Sequence, residues 1–267
     1  MKLPRKTLEK KIFADGYRLI YAIDEVGMGC LAGPVVVCAV AFEKKFFNLR
    51  HKKLQGLRDS KLLSAHQREE YARELFQVPG FKFQVCYAYP RTIDKLNIYN
   101  ATRMAMKRAI LKLSNSKSEF RNPKQNSKIR NSKSKIVWNF GNSNLDIVSE
   151  AIPVEVPPRE PSPLNLVFRA SDLKSIVLVD GKTKIKGLKM DQIPIVKGDR
   201  KVFAIACASI IAKVHRDKMM MRYAKKYPGY GLEKHKGYGT KYHQVRLTFL
   251  GPCEIHRRSF APVAKLI

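Results

Sequence analysis

The sequence is short of acidic residues, and this shortage dominates its charge. Its 267 residues contain 22 Asp and Glu against 52 Lys and Arg, giving a formal net charge of +30 and a pI near 10.1. An excess of this size predicts a polyanionic partner, with nucleic acid as the first candidate and an anionic membrane surface as the second.

Long hydrophobic runs are also lacking. No apolar run approaches the ~18 residues of a spanning helix, and the basic leader, residues 1–17, has no apolar core of the kind found in secretion signals. The five cysteines are odd in number, widely spaced and without a C-x-x-C pair, and the six histidines show no metal-ligand spacing. These absences argue against a membrane partner, a disulfide framework and a zinc site, and they predict a cytoplasmic protein.

Two adjacent carboxylates, Asp24 and Glu25, end an apolar run and are followed by Gly27 and Gly29. Successive side chains of a strand point to opposite faces, so both acids reach one site only if the chain turns between them or if one acts through water. A strand followed by a simple acidic turn is the alternative. The β-branched run at residues 35–42 predicts a second, central strand.

Two further acids, Asp180 and Asp199, follow the apolar segments SIVLVD and QIPIV. Ligands of open α/β sheets collect beyond strand ends. Clustered carboxylates in so basic a chain favour Mg²⁺ or Mn²⁺, which prefer oxygen ligands. Metal-assisted nuclease chemistry is therefore predicted, against the alternative that each acid only caps or pairs with its neighbourhood.

Residues 114–163 differ in composition, being rich in Asn, Ser and Lys and ending in a proline cluster. Such a stretch predicts a dispensable insertion. A packed hairpin of residues 136–140 and 145–156, anchored by Trp138, is the alternative. The predicted organisation is a leader at 1–17 and one domain at 18–267, interrupted at about 114–172.

Eight ordered segments resemble the type 2 ribonuclease H family, ribonuclease HII: IDEVGMGCLAGPV, DSKLLS, NIYNATRMAM, VLVDG, VKGD, ASIIAKVHRD, HKGYGT and HRRSFAPV. The resemblance implies a ribonuclease H-like α/β fold, with a mixed central sheet flanked by helices and a C-terminal helical part. It also implies a monomeric endonuclease that hydrolyses the RNA strand of RNA/DNA hybrids and incises at ribonucleotides embedded in duplex DNA. Two divalent ions, Mg²⁺ or Mn²⁺, would serve the reaction, which leaves 5′-phosphate and 3′-hydroxyl ends.

The resemblance also assigns residues. Asp24, Glu25, Asp180 and Asp199 match the family's metal-binding catalytic carboxylates. The backbone of residues 27–29 matches the element that contacts the ribose 2′-hydroxyl, and Tyr238 matches the tyrosine that stacks on the next sugar. The full set expected to contact nucleic acid is Gly27, Met28, Gly29, Ser60, Lys61, Lys197, Tyr238, Arg257 and Arg258.

Two departures from the family pattern remove cations. Met28 stands where the motif has arginine, and the second segment has only Lys61 where two lysines are usual. A catalytically weakened nucleic-acid-binding homologue is therefore one alternative, and a nuclease for branched DNA or a strand-transfer enzyme is another. Asp217 is expected either to form a structural salt bridge or to support the site from outside it.

Overall fold

The computed structural model describes residues 3–49, 51–115 and 174–267. Its central sheet has the order β3-β2-β1-β4-β5, in which β1, β2 and β3 pair antiparallel while β1, β4 and β5 pair parallel. The predicted mixed sheet is therefore confirmed. The strands are β1 Leu19–Val26, β2 Val35–Glu43, β3 Lys82–Ala88, β4 Ser175–Asp180 and β5 Asp191–Ile195.

Helices flank this sheet and form the C-terminal part. The long helix α7 packs against β1, β2 and β4, whereas α5 packs against β2 and β3. The helices are α1 Thr7–Ala14, α2 Lys44–Asn48, α3 Ala65–Gln77, α4 Pro90–Leu96, α5 Ile98–Asn115, α6 Gly198–Lys201, α7 Phe203–Lys226, α8 Leu232–His235, α9 Lys241–Leu250 and α10 Ala261–Ala264.

Local sequence accounts for several of these elements. Strand β2 is buried along nearly its whole length, as its continuous apolar sequence predicts. Helix α3 begins with a capping box, in which Ser64 and Gln67 each accept a hydrogen bond from the other's backbone N–H. Helix α7 opens with small apolar residues, FAIACA, which let its backbone approach the sheet closely.

The basic leader contributes to the core. Helix α1 buries Ile12 and Phe13, and its Glu9 side chain accepts a 2.9 Å hydrogen bond from the backbone N–H of Ala204. That N–H lies in the first turn of α7, where backbone donors lack helical partners. The leader therefore caps the helix that supports the sheet.

The C-terminal helices pack around a second apolar cluster. It joins Met220 of α7, Leu232 of α8 and Leu247 of α9 to Leu31 and Ala32, which lie between β1 and β2. Within the described ranges, no helix is long and apolar enough to cross a membrane. The predicted insertion and the alternative hairpin around Trp138 lie outside the described residues, apart from residues 114 and 115, which end α5.

Candidate metal and nucleic-acid site

Sheet topology brings the predicted carboxylates to one edge. Strands β1 and β4 are parallel neighbours with Ile23 opposite Val179, so Asp24 and Asp180 follow at the same level. The Asp180 carboxylate accepts a 2.7 Å hydrogen bond from the backbone N–H of Gly198. Asp199 is the next residue, and it is buried at the start of α6.

No turn separates Asp24 from Glu25, because β1 continues to Val26. Alternation places Asp24 on the face of Ala22, which packs in the α7 cluster, and Glu25 on the opposite face. Glu25 Oε2 is nevertheless buried and without a hydrogen-bond partner in the described structure.

Burial and mutual repulsion raise the pKa values of three carboxyl groups, those of Asp24, Glu25 and Asp199. Burial raises the pKa of Asp24 well above its ordinary value, and the Glu25 and Asp180 carboxylates raise it further. Burial and Asp180 together raise the pKa of Glu25 to about 7. Burial, followed by Asp180, also raises the pKa of Asp199. A positively charged ligand would lower all three pKa values.

The donor set fits a hard divalent cation. Among the described residues, no three His, Cys, Asp or Glu side chains already converge into a metal-binding arrangement. However, carboxylate oxygens are the ligands that Mg²⁺ and Mn²⁺ prefer. The unpartnered Glu25 oxygen and the raised pKa of its carboxyl group fit a ligand that carries positive charge.

The hydroxyl groups of Ser209 and Ser60 lie in the protein interior next to Asp24. The Ser209 hydroxyl hydrogen-bonds to the Asp24 carboxylate and lies 3.0 Å from Ser60 Oγ. Ser60 is only 3% exposed, so its side chain is buried, and its contact with nucleic acid stays a prediction. The sequence analysis did not identify Ser209. The feature that could have indicated it is a hydroxyl side chain inside the apolar run ACASIIA. Lys61 is exposed, with its ammonium 3.9 Å from the Asp199 carboxylate.

The glycine turn at residues 27–29 is held from inside the protein by Arg257. The Arg257 guanidinium is fully buried and donates to the carbonyl oxygens of Met28 at 2.7 Å and Gly27 at 2.6 Å. Its other donors bind the Gly33 carbonyl. Arg257 therefore shapes the turn, and its contact with nucleic acid stays a prediction. The neighbouring Arg258 is exposed.

A second buried arginine, Arg216, joins the segment that follows the turn to the loop that carries Tyr238. It donates to the carbonyl oxygens of Ala32 at 3.1 Å and Lys236 at 2.7 Å. Cys30 and Tyr238 form an antiparallel bridge between the two segments. Tyr238 remains 39% exposed, so its ring is accessible beside the glycine turn. Sequence analysis missed Arg216, because a buried arginine in HRD has the same sequence appearance as an exposed one.

The structure also shows the surroundings of Lys197 and Asp217. Lys197 is exposed in the left-handed region with φ 56°, directly before the helix that carries Asp199. Backbone conformations of this kind concentrate at functional sites. Asp217 pairs with Arg68 at 3.3 Å and Lys213 at 2.8 Å, which favours the structural salt bridge over a supporting role in the site.

Known proteins resemble the chain in sequence and in fold. The family model described as Ribonuclease HII matches residues 22–145 and 169–263. A Ribonuclease HII of Caldicellulosiruptor bescii is 38% identical over 253 residues, covering 95% of this chain and 91% of the relative. The crystal structure of ribonuclease H2 from Pyrococcus horikoshii OT3 aligns with a TM-score of 0.57 and 20% identity, covering 93% of this chain and 96% of that one. Bst-RNase HIII in complex with Mn²⁺ aligns with a TM-score of 0.52 and 14% identity, covering 94% and 69%.

Proposed function

Because the chain belongs to the ribonuclease HII family, we propose that it hydrolyses the RNA strand of RNA/DNA hybrids and also incises duplex DNA at single embedded ribonucleotides. Family membership makes it a metal-dependent endoribonuclease. One observation carries the finer proposal. Asp24 and Asp180 sit side by side on parallel strands, next to a glycine turn and an accessible tyrosine.

The four carboxylates Asp24, Glu25, Asp180 and Asp199 are the residues that would hold two divalent ions, Mg²⁺ or Mn²⁺. Mn²⁺ is present in the structure of Bst-RNase HIII, which shares the fold. When bound, such ions lower the pKa of the attacking water and stabilise charge on the leaving oxygen.

The reaction is addition of water at a backbone phosphorus with cleavage of its bond to the 3′-oxygen. Water supplies the oxygen and the protons, so the products are a 5′-phosphate and a 3′-hydroxyl. The protein's own groups position the strand for this exchange. Exposed Lys61 and Lys197 lie beside the carboxylates and would bind phosphates of the strand.

Selection of a ribonucleotide would come from two contacts at a fixed separation. The turn at residues 27–29 would meet the ribose 2′-hydroxyl with its backbone, and Tyr238 would stack on the next sugar. Arg257 fixes the turn, while Arg216 joins Ala32, three residues after the turn, to the Tyr238 loop. A rigid pair of contacts favours a ribose followed by a deoxyribose.

The Met28 substitution weakens this proposal less than the sequence alone indicates. The backbone at Met28 is held through its carbonyl by Arg257, so its conformation does not require an arginine side chain at this position. Only the charge near the phosphate is lost. A weakened binding homologue remains the alternative, and retention of all four carboxylates argues against it.

Cleavage of three matched duplexes tests the proposed function: an RNA/DNA hybrid, DNA with one ribonucleotide, and all-DNA. We expect the first two to be cut and the third to survive. Asp24→Asn should abolish cutting while duplex binding persists, because binding depends mainly on the basic surface. Asp191→Asn is the matched control, since Asp191 is exposed at the start of β5 and its carboxylate accepts a 2.7 Å hydrogen bond from the Tyr17 hydroxyl. Cutting of all-DNA, or near wild-type cutting by Asp24→Asn, would overturn the assignment.

The cytoplasmic location and the monomeric state stay predictions. Size-exclusion chromatography with light scattering measures the second directly, with a mass near 30.5 kDa expected.

A further inference from the structure

The connection between β4 and β5, residues 181–190, concentrates positive charge next to the catalytic edge. We name it the lysine loop, and its four lysines are all exposed. It contains no acidic residue, and neither does the neighbouring helix α5. The lysines are Lys182, Lys184, Lys186 and Lys189.

The lysine loop has a fixed backbone. Ile185 and Leu188 are buried and anchor it to the protein. The Gln192 side chain accepts a 2.7 Å hydrogen bond from the backbone N–H of Ile185 and donates to the carbonyl oxygens of Ile185 and Leu188. The lysines between these anchors therefore project from an ordered support, which lowers the entropy lost when they bind a ligand.

Helix α5 extends the same surface. Arg103 donates a 2.9 Å hydrogen bond to the Thr183 hydroxyl, and Lys107 lies beside Gly187, with its ammonium 3.0 Å from the position a Cβ there would take. Across the described ranges, none of these six cations pairs with a carboxylate within 4.0 Å.

Two lysines elsewhere on the surface differ in this respect. Near helix α3, Lys53 pairs with Glu74 at 3.0 Å and Lys218 with Glu69 at 3.6 Å. Six unneutralised cations on one face repel each other, and a polyanion relieves that repulsion.

We infer that the lysine loop, with Arg103 and Lys107, is a second contact surface for the sugar-phosphate backbone of a nucleic-acid duplex. It begins at Gly181, directly after Asp180, so a duplex held at the carboxylates passes close to it. The loop returns to Asp191, which pairs with Ile176 at the other end of β4. That return covers about 13 Å of strand, which corresponds to about four base pairs at 3.4 Å per phosphate on each strand.

The inference rests on the proposed function, since both require a duplex. Its test is the salt dependence of binding. The four loop lysines are replaced by Gln together, and binding to a duplex of about 20 base pairs with one ribonucleotide is measured by fluorescence anisotropy in EDTA, from about 50 to 200 mM salt. Each lost lysine–phosphate contact lowers the slope of log affinity against log salt by about 1. We expect a slope reduction of about two to four.

A matched variant replaces four other exposed lysines by Gln, giving the same change in net charge. Lys10 and Lys11 lie on α1, which packs against α2. Lys44 and Lys52 follow β2 at Glu43, which pairs with Leu19 at the end of β1 away from Asp24. Like the loop lysines, these four form no ion pair with a carboxylate in the described ranges. We expect its slope to change by less than about 1. Equal slopes for the two quadruple variants would overturn the inference, because net charge alone would then explain the effect.

Two further outcomes separate this inference from the proposed function. If the wild type cuts the ribonucleotide duplex but the loop variant keeps the wild-type slope, the lysine loop is not a duplex contact and the proposed function stands. If the wild type neither binds nor cuts any duplex, both are overturned. Thermal unfolding confirms that the loop variant is folded, which its exposed positions lead us to expect.

Discussion

Replacing Gly27 by alanine should destabilise the protein through a residue that is distant in sequence. Gly27 has φ +95°, a conformation that side-chain-bearing residues rarely adopt. A Cβ at this position would overlap the Arg216 guanidinium Nε and lie 2.9 Å from its Cδ and Cζ. Arg216 is fully buried, so it has no solvent to move into.

The size of the effect follows from these two costs. The backbone conformation costs an L-residue about 1 to 2 kcal/mol. Displacing Arg216 weakens its bonds to the carbonyls of Ala32, Pro34 and Lys236, and one charge-assisted bond is worth about 1.5 to 3 kcal/mol. We therefore expect a loss of about 2.5 to 5 kcal/mol, which is a fall in melting temperature of about 5 to 20 °C for a chain of this size.

Urea and thermal unfolding measure this loss, with Gly29→Ala as the matched control. A Cβ at Gly29 meets nothing within 4 Å, and its φ is not in the positive range, so its stability should change by less than about 0.5 kcal/mol. In an Arg216→Ala background, Gly27→Ala should cost only the backbone term, leaving a coupling energy of about 1.5 to 3 kcal/mol between the two sites.

Either of two results would refute this reasoning. One is a Gly27→Ala protein that melts within about 2 °C of the wild type. The other is a penalty that is unchanged when Arg216 is absent, since the clash would then not be its cause.

Three other predictions concern binding, dispensable sequence and pH. Met28→Arg should tighten duplex binding or raise the cleavage rate, because a charge-assisted phosphate contact is worth about 1.5 to 3 kcal/mol; unchanged binding and rate would mean that another cation already fills the role. Deleting residues 116–163 should leave a cooperative melt and cleavage near those of the parent, whereas aggregation would show that the segment belongs to the core. Burial lowers the pKa of His243 and of His256 to about 4, so the unfolded chain takes up these protons first as pH falls below about 6.5. The free energy of unfolding of the wild type, relative to that of His256→Gln, should therefore be highest above that pH and fall by up to about 3 kcal/mol towards pH 4. A difference that does not change with pH in urea unfolding would contradict this.

Local sequence was sufficient for the elements and for the catalytic edge. The run at residues 35–42 is apolar throughout because both faces of β2 are covered, and the Ser64 capping box marks the start of α3 at its observed position. Asp24 and Asp180 were predicted to share a site because ligands of open α/β sheets collect beyond strand ends. The parallel pairing of β1 with β4 brings the two residues side by side. Whether these residues bind metal stays a prediction.

Tertiary structure decided which polar side chains face a ligand. Ser60, expected to contact nucleic acid, is buried with its hydroxyl 3.0 Å from that of Ser209. Arg257 turns inward onto Gly27 and Met28, more than 220 positions away. A guanidinium can be buried only where several oxygen acceptors converge around it. Here most of those acceptors are backbone carbonyls, which every residue carries. Their convergence is produced by the packing of distant segments, so it leaves no trace in the residue types themselves.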